Sequence, residues 1–290
     1  MTIEKQTIHM KRILVPYDFS PVAEHALDFA CQIASKLEGE IMLLNVIEHP
    51  TANSYEAIMG VKDDPMEQLY IKKMYEKVSE KLGEIVSNAA HSDDKISTKI
   101  QLGNAFNSII DQITEEKVDL LIVGTEGAEG LNEFFVGSNA EKIVRHASCP
   151  VITIHEKAEI EPIEKIVFAS GFMDLDEIFI EKVKELQRVL EAQLKIVKIN
   201  TPASFTSTRH DQKQMDDFVA RFGIENYTTA IYNCKNEEDG IMLYAEDVDA
   251  DMIAIGTNQR KGIGHFFAGS IAEDIVNNAK IPVWTSYINS

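Results

Sequence analysis

The residues best suited to chemistry are Gly124-Thr125-Glu126-Gly127 and, nine residues further on, Gly137-Ser138-Asn139. The run Asp119 to Val123 before them reads as a buried strand, and Ala140, Ile143, Val144 and Ala147 after them fall at i, i+3, i+4 and i+7. This is the pattern of a strand, a glycine-rich loop and an amphipathic helix. Glycines at such a junction let the backbone take positive φ and approach a ligand closely, while Ser138 and the free N–H groups of the new helix suit an anion such as phosphate. A tight turn with Ser138 as a simple helix cap accounts for the same residues.

Around this loop the chain alternates strands with helices. Ile13-Leu14-Val15 reads as a strand ending at Pro16-Tyr17-Asp18-Phe19, and Ser20 and Pro21 open a helix faced by Ala23, Ala26, Leu27, Ala30, Ile33, Ala34 and Leu37. Ile41 to Ile47 reads as a second strand, residues 65–90 as a helix and Ile96 to Ile100 as a third strand ending near Gly103. Phe106 to Ile113 gives another helix, and Val151 to Ile154 a fifth strand. Such alternation predicts a parallel sheet covered on both faces, with ligands at the C-terminal strand ends. Asp18 and Gly124 both follow strands, so both are expected at that edge.

The pattern then recurs. Asp251 to Thr257 matches Asp119 to Thr125, Gly269-Ser270 matches Gly137-Ser138, and Ile281-Pro282-Val283 matches Cys149-Pro150-Val151, all at one offset of 132 residues. A constant offset over three separated matches marks two copies of one unit. Ile166 corresponds to Ile13 at an offset of 153, so the first copy is longer in its middle. The shortfall is expected at Thr201 to Gly223, with only a short helical stretch left around Phe218, Val219 and Phe222. The charged segment 156–163, carrying Pro162, reads as a linker between domains at 1–155 and 164–290.

Bulk composition narrows the classes. With 28 Lys+Arg against 47 Asp+Glu, the net charge of −19 over 290 residues disfavours a nucleic-acid surface. Cys31, Cys149 and Cys234 form no CxxC pair, which argues against a disulfide framework or structural zinc and for a reducing compartment. Cys31 and Cys149 fall among apolar neighbours and read as small buried hydrophobes. No segment reaches the roughly 18 apolar residues of a membrane span, and Met1 to Arg12 lacks a signal-peptide core, so a cytoplasmic location is expected. GxxxxGK[ST], GxSxG and HExxH are absent, the eight histidines are dispersed, and no nucleophile stands beside a base. Neither catalytic nor metal-ligating residues are expected.

The ordered set of Ile13 to Ser20, Gly103-Asn104-Ala105, Asp119 to Thr125 and G-x2-G-x9-G-S running into Asn139 to Val151 resembles a universal stress protein domain. The resemblance spans the chain as a tandem pair. It implies two Rossmann-like α/β domains, each a five-stranded parallel sheet flanked by helices, paired through their last strands as an intrachain pseudo-dimer. It also implies binding of ATP, with or without Mg²⁺, in which Asp18 and Val46 contact adenine and Gly124, Gly127, Gly137, Ser138 and Asn139 hold ribose and phosphates. A carboxylate accepting from the exocyclic amine and backbone N–H groups on phosphate oxygens give physical reasons for those roles.

This chain departs from the pattern in two ways. Glu126, Glu129 and Glu133 put three carboxylates in the loop, where they would repel a nearby triphosphate unless they point to water or hold a metal; a solvated acidic loop and helix end accounts for them equally. In the second copy Gly171 stands at the Asp18 position and Gln259 at that of Gly127, although Arg260, Lys261 and His265 make its loop more basic. The expectation is therefore a stress-response regulator or sensor that binds adenine nucleotide in its first domain only, the second serving as pairing partner. A nucleotide-free module recruiting a protein or another ligand, slow ATP hydrolysis or autophosphorylation, and further homo-oligomerisation stay open.

Overall fold

The structure is a computed structural model and describes residues 10–48, 65–88, 95–125, 137–155, 162–172, 176–257 and 267–288. The first domain runs β1 (Arg12–Pro16), α1 (Pro21–Leu37), β2 (Glu40–Ile47), α2 (Pro65–Asn88), β3 (Lys95–Leu102), α3 (Ala105–Glu115), β4 (Leu120–Thr125), α4 (Gly137–His146) and β5 (Val151–His155). The second repeats it as β6 (Lys165–Ala169), α5 (Glu177–Leu190), β7 (Gln193–Asn200), α6 (Thr208–Phe222), β8 (Tyr227–Asn233), α7 (Glu237–Asp247), β9 (Met252–Thr257), α8 (Phe267–Asn278) and β10 (Val283–Tyr287). Ser20 caps α1 by accepting the Ala23 N–H at 3.2 Å, with Pro21 in its first turn, as the sequence predicts.

All strands join one ten-stranded sheet in the order β3-β2-β1-β4-β5-β10-β9-β6-β7-β8. Every pairing is parallel except β5 with β10, where Trp284 lies opposite Ile152. Two five-stranded parallel sheets therefore meet edge to edge. Thr153 and Thr285, equivalent in the repeat, donate reciprocally across this seam to the carbonyls of Val283 (3.3 Å) and Val151 (3.4 Å). Helices α4 and α8 pair above it, with Arg145 on Glu273 and Asn277 on Glu141.

Successive side chains of a strand point to opposite faces, so the buried runs feed two cores. One contains Ile13, Val15, Ile152, Phe168 and Trp284 with α1, α2, α5 and α6; the other contains Leu14, Leu121, Val151, Val167 and Val283 with α3, α4, α7 and α8. Both pass through the seam. The repeat extends to single carboxylates: Asp119 accepts the N–H groups of Lys11 (3.2 Å) and Arg12 (2.9 Å), and Asp251 those of Glu164 and Lys165 (both 2.8 Å).

The expected shortfall in the second copy is corrected in one respect. Residues 208–222 form a complete 15-residue helix, α6, against 24 residues in α2. Its buried residues are Asp211, Met215, Phe218 and Val219, so a carboxylate occupies a place on the inward face that an apolar residue ordinarily fills. The apolar period is shortened by one turn and hides the start of the helix.

No disulfide joins the cysteines, and Cys31 and Cys149 are buried in the core. Burial pushes the Cys149 thiol up to about 12, the nearby Lys182 charge opposing only in part, so the inert thiolate-poor form prevails. Among the described residues no helix is long and apolar enough to cross a membrane.

Candidate functional site

In the first domain the sheet order reverses between β1 and β4, the crevice where open α/β sheets hold ligands. The chain leaving β1 is locked there by short-range bonds. The Tyr17 N–H donates to the Leu44 carbonyl (2.8 Å), and the buried Asn45 amide donates to the Tyr17 carbonyl (2.7 Å). Phe19 takes φ 68°, its ring edge-on to Tyr17 at 5.5 Å and under the Lys81 ammonium of α2 at 4.9 Å. These contacts hold Asp18 exposed at the strand end. Its Oδ1 accepts the Ser20 N–H at 3.0 Å, so part of its role is to shape the turn before α1.

Asp18, Val46 and Gly124 line one cavity of about 70 Å³ together with Tyr17, Ala105 and Ile143. Three residues far apart in sequence are thus brought together. Gly137, Ser138 and Asn139 form the first turn of α4, the helix whose Ala140 and Ile143 also face this cavity. Gly127, like Glu126, Glu129 and Glu133, lies outside the described residues.

Gly124 is required by packing whatever the ligand. A Cβ there would stand 2.7 Å from Val22 Cγ2 and 2.8 Å from the Val22 carbonyl oxygen, because α1 crosses the end of β4 at close range. Gly124→Ala is therefore expected to destabilise the protein by about 1–3 kcal/mol through overpacking. Thermal denaturation checks this, and an unchanged midpoint would show that α1 retreats freely.

Sequence reading missed two polar residues of the site. Asn45 fixes the β1 loop as described, and the Glu48 carboxylate accepts the Ala105 N–H at the start of α3 (2.9 Å), next to the Asn104 cap. Asn45 is a single polar residue within the apolar run of β2 and Glu48 lies just beyond its end, and nothing in their spacing distinguishes them from solvated positions. The Tyr17 hydroxyl is pushed up to about 12 by burial and then by the charges of Glu24, Asp28 and Asp18, so it stays a neutral hydrogen-bonding group. Chemically the cavity offers apolar walls, an acceptor carboxylate on one rim and a helix N-terminus on another. It is suited to holding a ligand, and among the described residues it contains no nucleophile beside a base.

Comparison with known proteins agrees with this architecture. The universal stress protein family model matches residues 9–155 and again 163–286. A universal stress protein of Methanocaldococcus jannaschii is 28% identical over 144 residues, covering 50% of this chain and 81% of its own length. A putative universal stress protein of Staphylococcus aureus is 30% identical over 159 residues, 53% of this chain and 92% of its own. The crystal structure of a universal stress protein from Archaeoglobus fulgidus matches 97% of this chain and 99% of its own at a TM-score of 0.73, with 19% identity, a likeness of fold. With two family segments that together take in nearly the whole length, each on its own five-stranded half of the sheet, the chain belongs to the universal stress protein family as a tandem two-domain member.

Proposed function

We propose that the first domain binds ATP or a related adenine nucleotide and that the protein is a cytoplasmic stress regulator acting by occupancy, without turnover. The observation that carries this reading is the convergence of Asp18, Val46 and Gly124 on one cavity at the β1/β4 reversal, beside the N-terminus of α4. Adenine would lie against Val46 with its amine on Asp18. Gly124, Gly127, Gly137, Ser138 and Asn139 would take ribose and phosphates, with Mg²⁺ free to accompany the phosphates. The cavity itself, at about 70 Å³, is below the roughly 300–1,000 Å³ of a typical small-molecule pocket. On this reading most of the nucleotide would lie beyond this cavity, its adenine end within it.

Calorimetric titration of the full chain with ATP and Mg²⁺ tests the proposal. Saturable binding is expected, weakened about tenfold by Asp18→Ala, the equivalent of about 1.4 kcal/mol, and abolished by Gly127→Glu. Asp18→Asn separates turn from ligand, since its amide oxygen still accepts the Ser20 N–H but carries no charge. Absence of binding at millimolar ATP would overturn the proposal and favour a nucleotide-free interaction module, the reading that Glu126, Glu129 and Glu133 support.

A further inference from the structure

The second domain has its own cavity at the equivalent reversal, between β6 and β9, and its lining differs in kind. It measures about 380 Å³ against about 70 Å³ in the first domain. Phe179, Ile199, Ile241, Ile255, Ile271 and Ile288 give it an apolar wall. Ile271 stands at the position of Asn139, so a candidate phosphate-holding residue has become hydrocarbon.

The charges have moved as well. Gly171 replaces Asp18 on the β-strand rim, while across the cavity Glu237, in the first turn of α7, replaces Ala105. Lys198 reaches the cavity but has no proton to spare. Its ammonium donates to Asp211 Oδ1 at 2.6 Å, Gln214 Oε1 at 3.1 Å and Thr206 Oγ1 at 3.2 Å, three acceptors for three protons. Glu237 is thus the one charge among the described lining residues without an opposite charge beside it. Burial and neighbouring Glu238 push its carboxyl up, and the Ser204 hydroxyl pulls it down. A cation placed there would favour the ionised carboxylate and so oppose both raising effects. A net charge of −19 adds a field that repels anions and attracts cations.

We propose that the second-domain cavity is a binding site for a small apolar amine, its hydrocarbon body against the isoleucine and Phe179 wall and its ammonium on the Glu237 carboxylate. This site is independent of nucleotide binding by the first domain. Its volume falls within the range of small-molecule pockets, which are mostly apolar with a few placed polar groups.

The single tryptophan supplies a local reporter. Trp284 is fully buried and its ring lies 5.9 Å from that of Phe179, one wall of the cavity. The full chain is titrated with 2-phenylethylamine, followed by Trp284 emission and by calorimetry, with ethylbenzene and ATP in parallel. Saturable binding of the amine with a change in Trp284 emission is expected, unaffected by saturating ATP and at least tenfold tighter than that of ethylbenzene. Glu237→Gln should weaken the amine at least tenfold. Ile271→Phe, which fills the half-buried rim, should abolish its calorimetric signal while leaving the melting profile that of a folded protein. No saturable binding, displacement by ATP, equal affinity for ethylbenzene, or an undiminished affinity in Glu237→Gln would each overturn the proposal; should Ile271→Phe fail to fold, the Glu237→Gln comparison decides alone.

Discussion

Asp211→Ala should cost about 3–5 kcal/mol of stability, because it strands the Lys198 ammonium in the interior of the second domain without its counter-charge. Asp211 is completely buried and the Lys198 side chain is 11% exposed. The pair is reinforced by Thr206, whose hydroxyl donates to the same Asp211 oxygen at 2.5 Å. The other carboxylate oxygen, Oδ2, has no hydrogen-bond partner, so the arrangement is incompletely satisfied. Replacing both charges together, Lys198→Met with Asp211→Leu, is therefore expected to recover most of the loss. Urea denaturation of the two variants and the wild type measures both effects. A single-variant cost below about 1 kcal/mol would mean that water reaches Lys198 and screens it.

The same pair gives an acid dependence of known sign. Burial alone would raise the Asp211 carboxyl, but the bonds from Lys198 and Thr206 and the Lys198 charge outweigh it and hold the group below its ordinary value of 3.8. A depressed native pKa means that the stability contributed by this group is fully present above the unfolded value and is lost as pH falls through the native one. The wild type should lose this increment below about pH 4, and the double variant should lack that component of the acid transition.

Trp284→Ala is expected to be comparably severe, at about 3–5 kcal/mol. Trp284 is the largest fully buried side chain, it faces Ile152 across the seam between the domains, and it packs on Phe179. Its indole N–H has no partner, so Trp284→Phe sacrifices volume without orphaning a polar group and should cost less. Circular dichroism during denaturation distinguishes the two. Both cores cross the seam, so the wild type should unfold in one transition, whereas Trp284→Ala should separate the halves into two. A cost for Trp284→Ala no greater than that of Trp284→Phe would show that the seam rests on its backbone ladder alone.

What was legible in the sequence follows from what each element contacts. Strands β1, β4, β6 and β9 are buried on both faces and carry uninterrupted apolar runs, so they were readable directly, and the Asp119 and Asp251 matches helped locate the repeat, each carboxylate holding the start of the equivalent strand, β1 or β6. Helix α6 was only half readable, since Asp211 serves an ion pair at a position where periodicity looks for hydrocarbon. Within the site, Asp18 was found as an acid placed after a strand, whereas Gly124, expected in the loop beyond β4, is still part of that strand and pairs with Ile154. The actions of Asn45 on the Tyr17 carbonyl and of Glu48 on the Ala105 N–H depend on atoms brought together by the fold. The Val22 carbonyl against Gly124 is a further case: a glycine reads as loop freedom in sequence, and here it is the room that another helix occupies.

The antiparallel junction of β5 with β10 has one more consequence, for divergence. Two separate copies of such a domain would meet only as mass action allowed, and every change at their shared edge would appear on both sides at once. Covalent fusion makes the encounter unimolecular, so it does not weaken on dilution. It also frees each edge to change alone. Trp284 occupies the seam where its counterpart in the first half is Ile152, a mismatch that an identical pair could not hold. The second half is thereby free to diverge from the first without losing its neighbour, and the isoleucine-lined cavity at its own strand reversal is what such freedom permits.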